Sequence, residues 1–317
     1  MGGPRLTWTW QAAPSRLLAA AQNAYIGRPD HLLYFGCGIG DDLLCTTVAR
    51  ELKKRGAERI VMFSRRPELF QFNPDIDATY NWGADAFGRL QHWGAKATHP
   101  CYFSYDSQTD RDTYPDKIIV SMCRAAKVTG KIQLRPYLHL TPHEKAKGRL
   151  FDSQVVIQSA GKGDLPTKDW FPDRYQVVAD TLGARAKIIQ LGLAGDPPIR
   201  NAVDLRGKTS LREAAAILAH AKVFVGQVGF LMHLARAVEC RSVIVYGGRE
   251  DPAITGYIAN ENIVGKTACS PCLFRSRCDF DHECMKIITP EMVITAALRT
   301  IECHEKPLPV ETANIAG

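Results

Sequence analysis

Short apolar runs alternate with helix-period segments along this chain, and turn-forming residues punctuate them. Residues 31–36 (HLLYFG) read as a buried strand, a glycine-rich turn follows, and a helical pattern runs from 42 to about 55. Residues 59–64 (RIVMFS) predict a second strand, Asn73-Pro74-Asp75 a turn, and 117–121 (KIIVS) a further strand. The stretch 81–114 between them is irregular and aromatic, with Trp82, Trp93, Tyr102, Phe103 and Tyr105. Thr141-Pro142-His143-Glu144 has the form of a capped helix start. The second half repeats the alternation, with strands expected at 153–158, 186–191, 222–226 and 242–246 and helices at 172–182, 211–220 and 231–238. Strands alternating with helices in both halves predict an α/β chain of two parallel sheets, each covered by helices. The expected units are 1–150 and 151–317, joined near 140–155. Ligands of such sheets collect beyond the carboxyl ends of the strands, here the cleft between the units.

Length and composition fit that picture: 317 residues, 45% hydrophobic and 23% charged, supply two domain-sized cores and exclude a disordered or low-complexity chain. No apolar run reaches the roughly 18–20 residues of a membrane span. The first residues show no apolar stretch ending in a small-residue cleavage site, so a cytoplasmic protein is expected. Forty Lys and Arg against 33 Asp and Glu leave a charge of +7. That excess suits an anionic partner such as a nucleoside diphosphate or the phosphorylated inner face of a membrane, held peripherally. Interleaved acids and the lack of a basic block set nucleic acid aside.

The turn Gly36-Cys37-Gly38-Ile39-Gly40-Asp41-Asp42 sits where a strand hands over to a helix. A dinucleotide fingerprint would need Gly or Ala where Asp41 stands, and a carboxylate there opposes a pyrophosphate at the helix start. The turn also resembles the first motif of S-adenosylmethionine-dependent methyltransferases. That motif's acidic residue is replaced by Tyr34, and its ribose-binding acid by Arg65 and Arg66. In a third reading Asp41, at the tip of a strand and facing a cleft, accepts a proton from an attacking hydroxyl. In the plainest one Asp41 or Asp42 caps the helix, worth about 0.5–2 kcal/mol.

The second half weighs on that choice. Gly226-Gln227-Val228-Gly229-Phe230-Leu231-Met232-His233-Leu234-Ala235 opens a helix after a strand, and Gly247-Gly248-Arg249-Glu250-Asp251-Pro252 follows the next strand. With Asn73-Pro74-Asp75-Ile76-Asp77, Thr167-Lys168-Asp169-Trp170-Phe171-Pro172 and Leu205-Arg206-Gly207-Lys208-Thr209-Ser210-Leu211, the order of motifs resembles glycosyltransferase family nine, typified by the lipopolysaccharide heptosyltransferases. The resemblance covers about residues 31–300. It implies a GT-B architecture of two facing Rossmann-like domains, the first binding the acceptor and the second a nucleotide-sugar donor. It further implies inversion at the anomeric carbon without a catalytic metal, Asp41 as general base and Lys168 on the donor phosphates. Gly192, Gly229, Phe230, Leu231, Met232, His233 and Glu250 are the other candidate donor contacts. For Leu231, Met232 and His233, plain core packing is the competing role. One departure stands out: the family has Asp-(Thr/Ser)-Gly directly before Leu-Met-His, where this chain has Val228-Gly229-Phe230. Valine cannot hydrogen-bond a sugar, so either the donor is not heptose or another residue holds it, with Glu250 and Asp251 as the candidates.

Ten cysteines complete the picture. Cys37, Cys45, Cys101, Cys123, Cys240 and Cys303 are scattered and expected as small buried hydrophobes. Cys269, Cys272, Cys278 and Cys284 fall in one short segment with Pro271, Arg275, Arg277, Asp279 and Asp281 between them. Four thiolates at that spacing suit a closed structural site for zinc or iron, with His282 as a possible alternative ligand. Two disulfides or free packed thiols are the competing readings. The expected activity is transfer of a sugar from a nucleotide-diphosphate donor to a hydroxyl of a glycan, glycolipid or protein. A methyltransferase and a catalytically inert nucleotide-sugar binder are the alternatives.

Overall fold

The computed structural model describes residues 28–36, 38–81, 97–160 and 166–317; Trp82, Trp93 and Cys37 lie outside them. The first half holds a parallel sheet ordered β3-β2-β1-β4, with β1 (His31–Tyr34), β2 (Ile60–Ser64), β3 (Ala78–Asn81) and β4 (Ala97–Thr98). The antiparallel hairpin β5 (Ser104–Asp106) and β6 (Arg111–Thr113) follows, then β7 (Gly130–Gln133). The second half is a parallel sheet of six strands: β8 (Gln154–Ile157), β9 (Lys187–Gln190), β10 (Val203–Asp204), β11 (Val223–Gln227), β12 (Ser242–Tyr246) and β13 (Asn260–Val264). Their order is β10-β9-β8-β11-β12-β13. The central strands are buried on both faces, as a parallel sheet under helices requires. The final strand β14 (Thr312–Ile315) returns to pair with β7 of the first half.

The helices answer to their sequence signals. Ile39–Lys53 begins earlier than expected, so Asp41 stands in its first turn. Thr141 and Ser210 each form a full capping box, with Glu144 and Glu213 respectively. Residues 117–121 contradict the strand expected there: Ile118–Ala125 is a helix packed on Ile39–Lys53. A short run buried all round carries no periodicity to separate strand from helix. Strands β3 and β13, whose sequences mix polar and apolar residues, escaped the pattern. Among the scattered cysteines, Cys45, Cys123 and Cys240 are buried as expected, Cys303 is half-buried, and Cys101 is exposed.

One apolar core joins the halves. It runs from Leu33 and Leu43 through Leu231, Met232 and Leu234 to Ile244 and Tyr246. Helix Ile39–Lys53 of the first half therefore lies against helix Phe230–Ala237 of the second. Among the described residues no helix is long and apolar enough to cross a membrane.

Candidate functional site

The site forms where those two helices meet at their N-terminal ends. Gly40 eases the approach: a Cβ there would crowd His233 Cδ2 at 3.2 Å and touch Phe230 Cα at 3.7 Å, an ordinary contact. Helix Ile39–Lys53 is entered at Gly38 and has no side-chain cap, so the capping role weighed for Asp41 and Asp42 is not the one their carboxylates take. Asp42 is buried and accepts a hydrogen bond from Ser64 Oγ at 2.5 Å. Asp41 Oδ1 accepts one from Tyr102 Oη at 2.7 Å. Burial pushes the Asp41 carboxyl up to about 6; the Tyr102 hydrogen bond and the charge of Lys168 pull against this, while Asp42 and Glu250 add to it. A carboxyl poised there is neutral or ionised within the range where a base works.

Facing Asp41 from the second half is an ion pair between Lys168 and Glu250. Lys168 ends the short turn Pro166–Lys168. Trp170, two residues on, is buried and donates through Nε1 to the Ile288 carbonyl at 3.2 Å. Lys168 itself is mostly buried, its side chain 17% exposed beside Glu250. Burial pushes Glu250 up, but the charge and hydrogen bond of Lys168, with help from Arg249 and Thr255, hold it below the usual carboxylate range.

The remaining sequence candidates divide. Gly229 has extended backbone, and nothing lies within 4 Å of a Cβ built on it, so this turn borders open space. Phe230 begins the helix, whose start has no side-chain cap among the described residues, and first-turn amides of this kind suit an anion. Leu231 and Met232 are core residues, and Tyr246 Oη lies 3.2 Å from the Met232 sulfur. His233 is buried, its Nδ1 is 2.6 Å from Tyr257 Oη, and burial drives it down to about 4, so the ring is neutral. Gly192 sits at the carboxyl end of β9 with φ of +144°, and a Cβ there would strike Asp196 Oδ2 at 2.2 Å. A tight turn explains this glycine. Val228 is buried, as a valine in that place should be.

Several residues here carry no sequence motif. Tyr102 stacks between Phe35 (centroids 5.5 Å apart) and Tyr114 (6.2 Å). Beyond Tyr114, buried Asp112 on β6 joins two arginines of the second half: Arg249 Nη2 at 2.6 Å and Arg275 Nη2 at 2.7 Å. Backbone bonds reinforce the link, from Asp112 N to Leu273 O and from Arg275 N to Asp110 O. The hairpin of the first half is thus tied to the cysteine-bearing segment of the second. Only the aromatic density of 81–114 hinted at this region; the partners lie more than a hundred residues away.

That segment also touches the loop after β12. Cys272 and Leu273 donate backbone hydrogen bonds to Gly248 O, and Gly248 N donates to Cys284 Sγ at 3.2 Å. A Cβ on Gly248 would lie 3.1 Å from Cys272 Sγ. Burial raises the Cys284 thiol, and the sulfurs of Cys269, Cys272 and Cys278 raise it further. All four thiols are free. As they stand, no three His, Cys, Asp or Glu side chains among the described residues are grouped to hold a metal ion.

Comparison with known proteins finds similar sequences and folds. Residues 126–282 match the model of glycosyltransferase family 9 (heptosyltransferase). The chain is 27% identical over 187 residues to lipooligosaccharide heptosyltransferase 2 of Haemophilus influenzae, a match over 51% of this chain and 54% of that one. It spans about half the length of that curated relative. The fold is similar to that of the ADP-heptose lipopolysaccharide heptosyltransferase II of E. coli, with a TM-score of 0.66 at 15% identity over 87% of this chain and 99% of that one. It is also similar to the iron-containing dodecameric glycosyltransferase TibC of enterotoxigenic E. coli H10407, with a TM-score of 0.65 at 16% identity over 87% and 76% of the two chains.

Proposed function

From the match of residues 126–282 to the model of glycosyltransferase family 9 (heptosyltransferase), we infer that this protein transfers a sugar from a nucleoside-diphosphate donor to an acceptor hydroxyl, with inversion. The observation that carries the reading is the meeting of Asp41 with Lys168 and Glu250 from opposite halves at the facing helix starts. On this reading Asp41 takes the proton of the acceptor hydroxyl as its oxygen attacks the anomeric carbon. The bond from that carbon to the diphosphate oxygen breaks, and the diphosphate leaves with the electron pair. Lys168 and the amides at Phe230 stabilise the departing negative charge, and no metal takes part in the step. Lys168 exchanges its Glu250 partner for the donor phosphates, which frees the Glu250 carboxylate for sugar hydroxyls that Val228 cannot reach. Gly229 keeps the backbone open beside the sugar, and His233 packs beneath it.

TibC has been solved in complex with ADP-D-β-D-heptose, so an ADP-sugar is the first donor to try. The acceptor class is a glycan, glycolipid or protein, and the excess of basic residues is compatible with contact at an anionic membrane face. Titration of the full chain with ADP, ADP-D-β-D-heptose and S-adenosylmethionine separates the readings. Binding of the first two at micromolar concentrations supports sugar transfer. Binding of S-adenosylmethionine alone would return the glycine-rich turn to the methyltransferase reading.

We further propose that Cys269, Cys272, Cys278 and Cys284 hold one structural zinc or iron ion. Three non-glycine residues in this segment, Leu273, Asp281 and His282, have positive φ. Such backbone costs about 1–3 kcal/mol per residue and persists where the surroundings enforce it; four thiolates on one ion would do so. His282 Nε2 is buried without a hydrogen-bond partner, which keeps it as the alternative ligand.

A further inference from the structure

We propose that Tyr102 is a positioning residue: it pins one oxygen of Asp41 and leaves the other, in the space that Gly38 keeps open, to take the acceptor proton. The proposal rests on the reading of Asp41 as the base. A carboxylate can rotate about its Cβ–Cγ bond and present either oxygen, so a base of fixed direction needs a donor on one of them. Tyr102 Oη supplies it at 2.7 Å to Oδ1. Hydrogen bonds to an ionised acceptor are roughly twice as strong as neutral ones. The donor is itself held rigidly. Its ring stacks on Phe35 and on Tyr114, with Phe103 tilted against it at 5.1 Å. Burial and the neighbouring Asp41 charge drive the Tyr102 hydroxyl far above its ordinary range, so it remains a protonated donor.

The second oxygen has its own provision. A Cβ on Gly38 would lie 2.5 Å from Asp41 Oδ2, closer than any real contact. Gly38 has φ −105° and ψ 150°, a conformation open to every residue. Backbone freedom therefore does not call for glycine here; the space beside Oδ2 does. The charged and titratable groups that bear on Asp41 are Asp42 on its own helix, Tyr102, and Lys168 and Glu250 across the cleft. Of these, Tyr102 makes a direct hydrogen bond.

The test uses the full chain carrying Tyr102→Phe, Gly38→Ala or Asp41→Asn. Release of ADP from ADP-D-β-D-heptose, with water as acceptor, is followed across pH. Tyr102→Phe keeps the aromatic stack and removes the hydroxyl. It should lower kcat by about tenfold to a hundredfold through misdirection of the base and leave the donor KM within about twofold. The acid limb should move above about 6, because a hydrogen bond that favours the ionised form is lost. A merely structural role for the ring would leave that limb in place. Gly38→Ala should lower kcat with donor KM unchanged, and the double variant should be no worse than the poorer single. Isotope-edited infrared titration of 13C-aspartate protein, with Asp41 assigned by its loss in Asp41→Asn, gives a readout independent of turnover. An upward-moved Asp41 midpoint in Tyr102→Phe supports the proposal; an unmoved midpoint overturns it. Inactive Asp41→Asn beside unaltered Tyr102→Phe and Gly38→Ala would overturn the proposal and leave the base standing. Turnover surviving in Asp41→Asn would remove the base and this proposal with it.

Discussion

Replacing Asp41 with asparagine should make the protein more stable while stopping its chemistry. Burial raises the Asp41 carboxyl from an ordinary 3.8 to about 6, so the folded chain favours the neutral acid. Below pH 3.8 the group is protonated in both the folded and unfolded states and nothing is lost. Between pH 3.8 and 6 the unfolded state releases its proton first, and the folded state becomes progressively less stable. Above pH 6 the loss is constant. A rise of about two pH units corresponds to about 3 kcal/mol at most. Asparagine is neutral throughout and keeps an oxygen for the Tyr102 hydroxyl, so it avoids that loss. Urea unfolding of both proteins at pH 4 and pH 8 gives the measurement. Asp41→Asn should match the parent near pH 4 and exceed it by about 1–3 kcal/mol at pH 8, with an unchanged denaturant slope. A variant equally stable or less stable at pH 8 would refute the claim that this carboxylate is held against its desolvation.

Lys168→Ala should weaken binding of ADP more than that of adenosine, by about tenfold or more, because the lost partner is the phosphate; equal weakening, read by calorimetry, would make Lys168 a structural residue. Lys168→Arg should recover only part of the affinity, since guanidinium and ammonium differ in shape. Asp112→Asn should leave Arg249 buried beside a neutral partner and destabilise the chain by about 3–5 kcal/mol. Hydrogen exchange should locate the loosening at residues 104–113 and 271–276, and protection unchanged at both would refute the tie between the halves. Removal of metal by a chelator should lower Tm before it lowers turnover. Less than a tenth of an equivalent of zinc plus iron in untagged protein would end the metal reading.

Much of the scaffold was legible because parallel strands buried on both faces leave continuous apolar runs, as in 242–246 (SVIVY). Pro172, Thr141 and Ser210 marked helix starts through chemistry confined to one turn. Ile118–Ala125 was misread because its neighbours, not its own period, decide its structure. Asp41 and Lys168 stood out as candidates because each sits in a short motif, the glycine-rich turn and the Lys-x-Trp-Pro run, that resembles the family's pattern. Tyr102 and Asp112 were not, since their partners at 41, 249 and 275 are distant in sequence and no spacing rule links them. Cys101 looked like any other isolated thiol, yet it lies exposed within the aromatic segment, directly before Tyr102. The close contact at Gly40 needs two helices to be placed before the absent side chain acquires a reason.

The most direct test of a sugar-transfer site divided between the two halves compares ADP release from ADP-D-β-D-heptose by the parent and by Asp41→Asn, with donor binding measured on the same samples. The account predicts turnover by the parent, a loss of about a hundredfold to ten-thousandfold in the variant, and donor affinity within about twofold. Turnover within a factor of two of the parent, or loss of donor binding along with turnover, would contradict it.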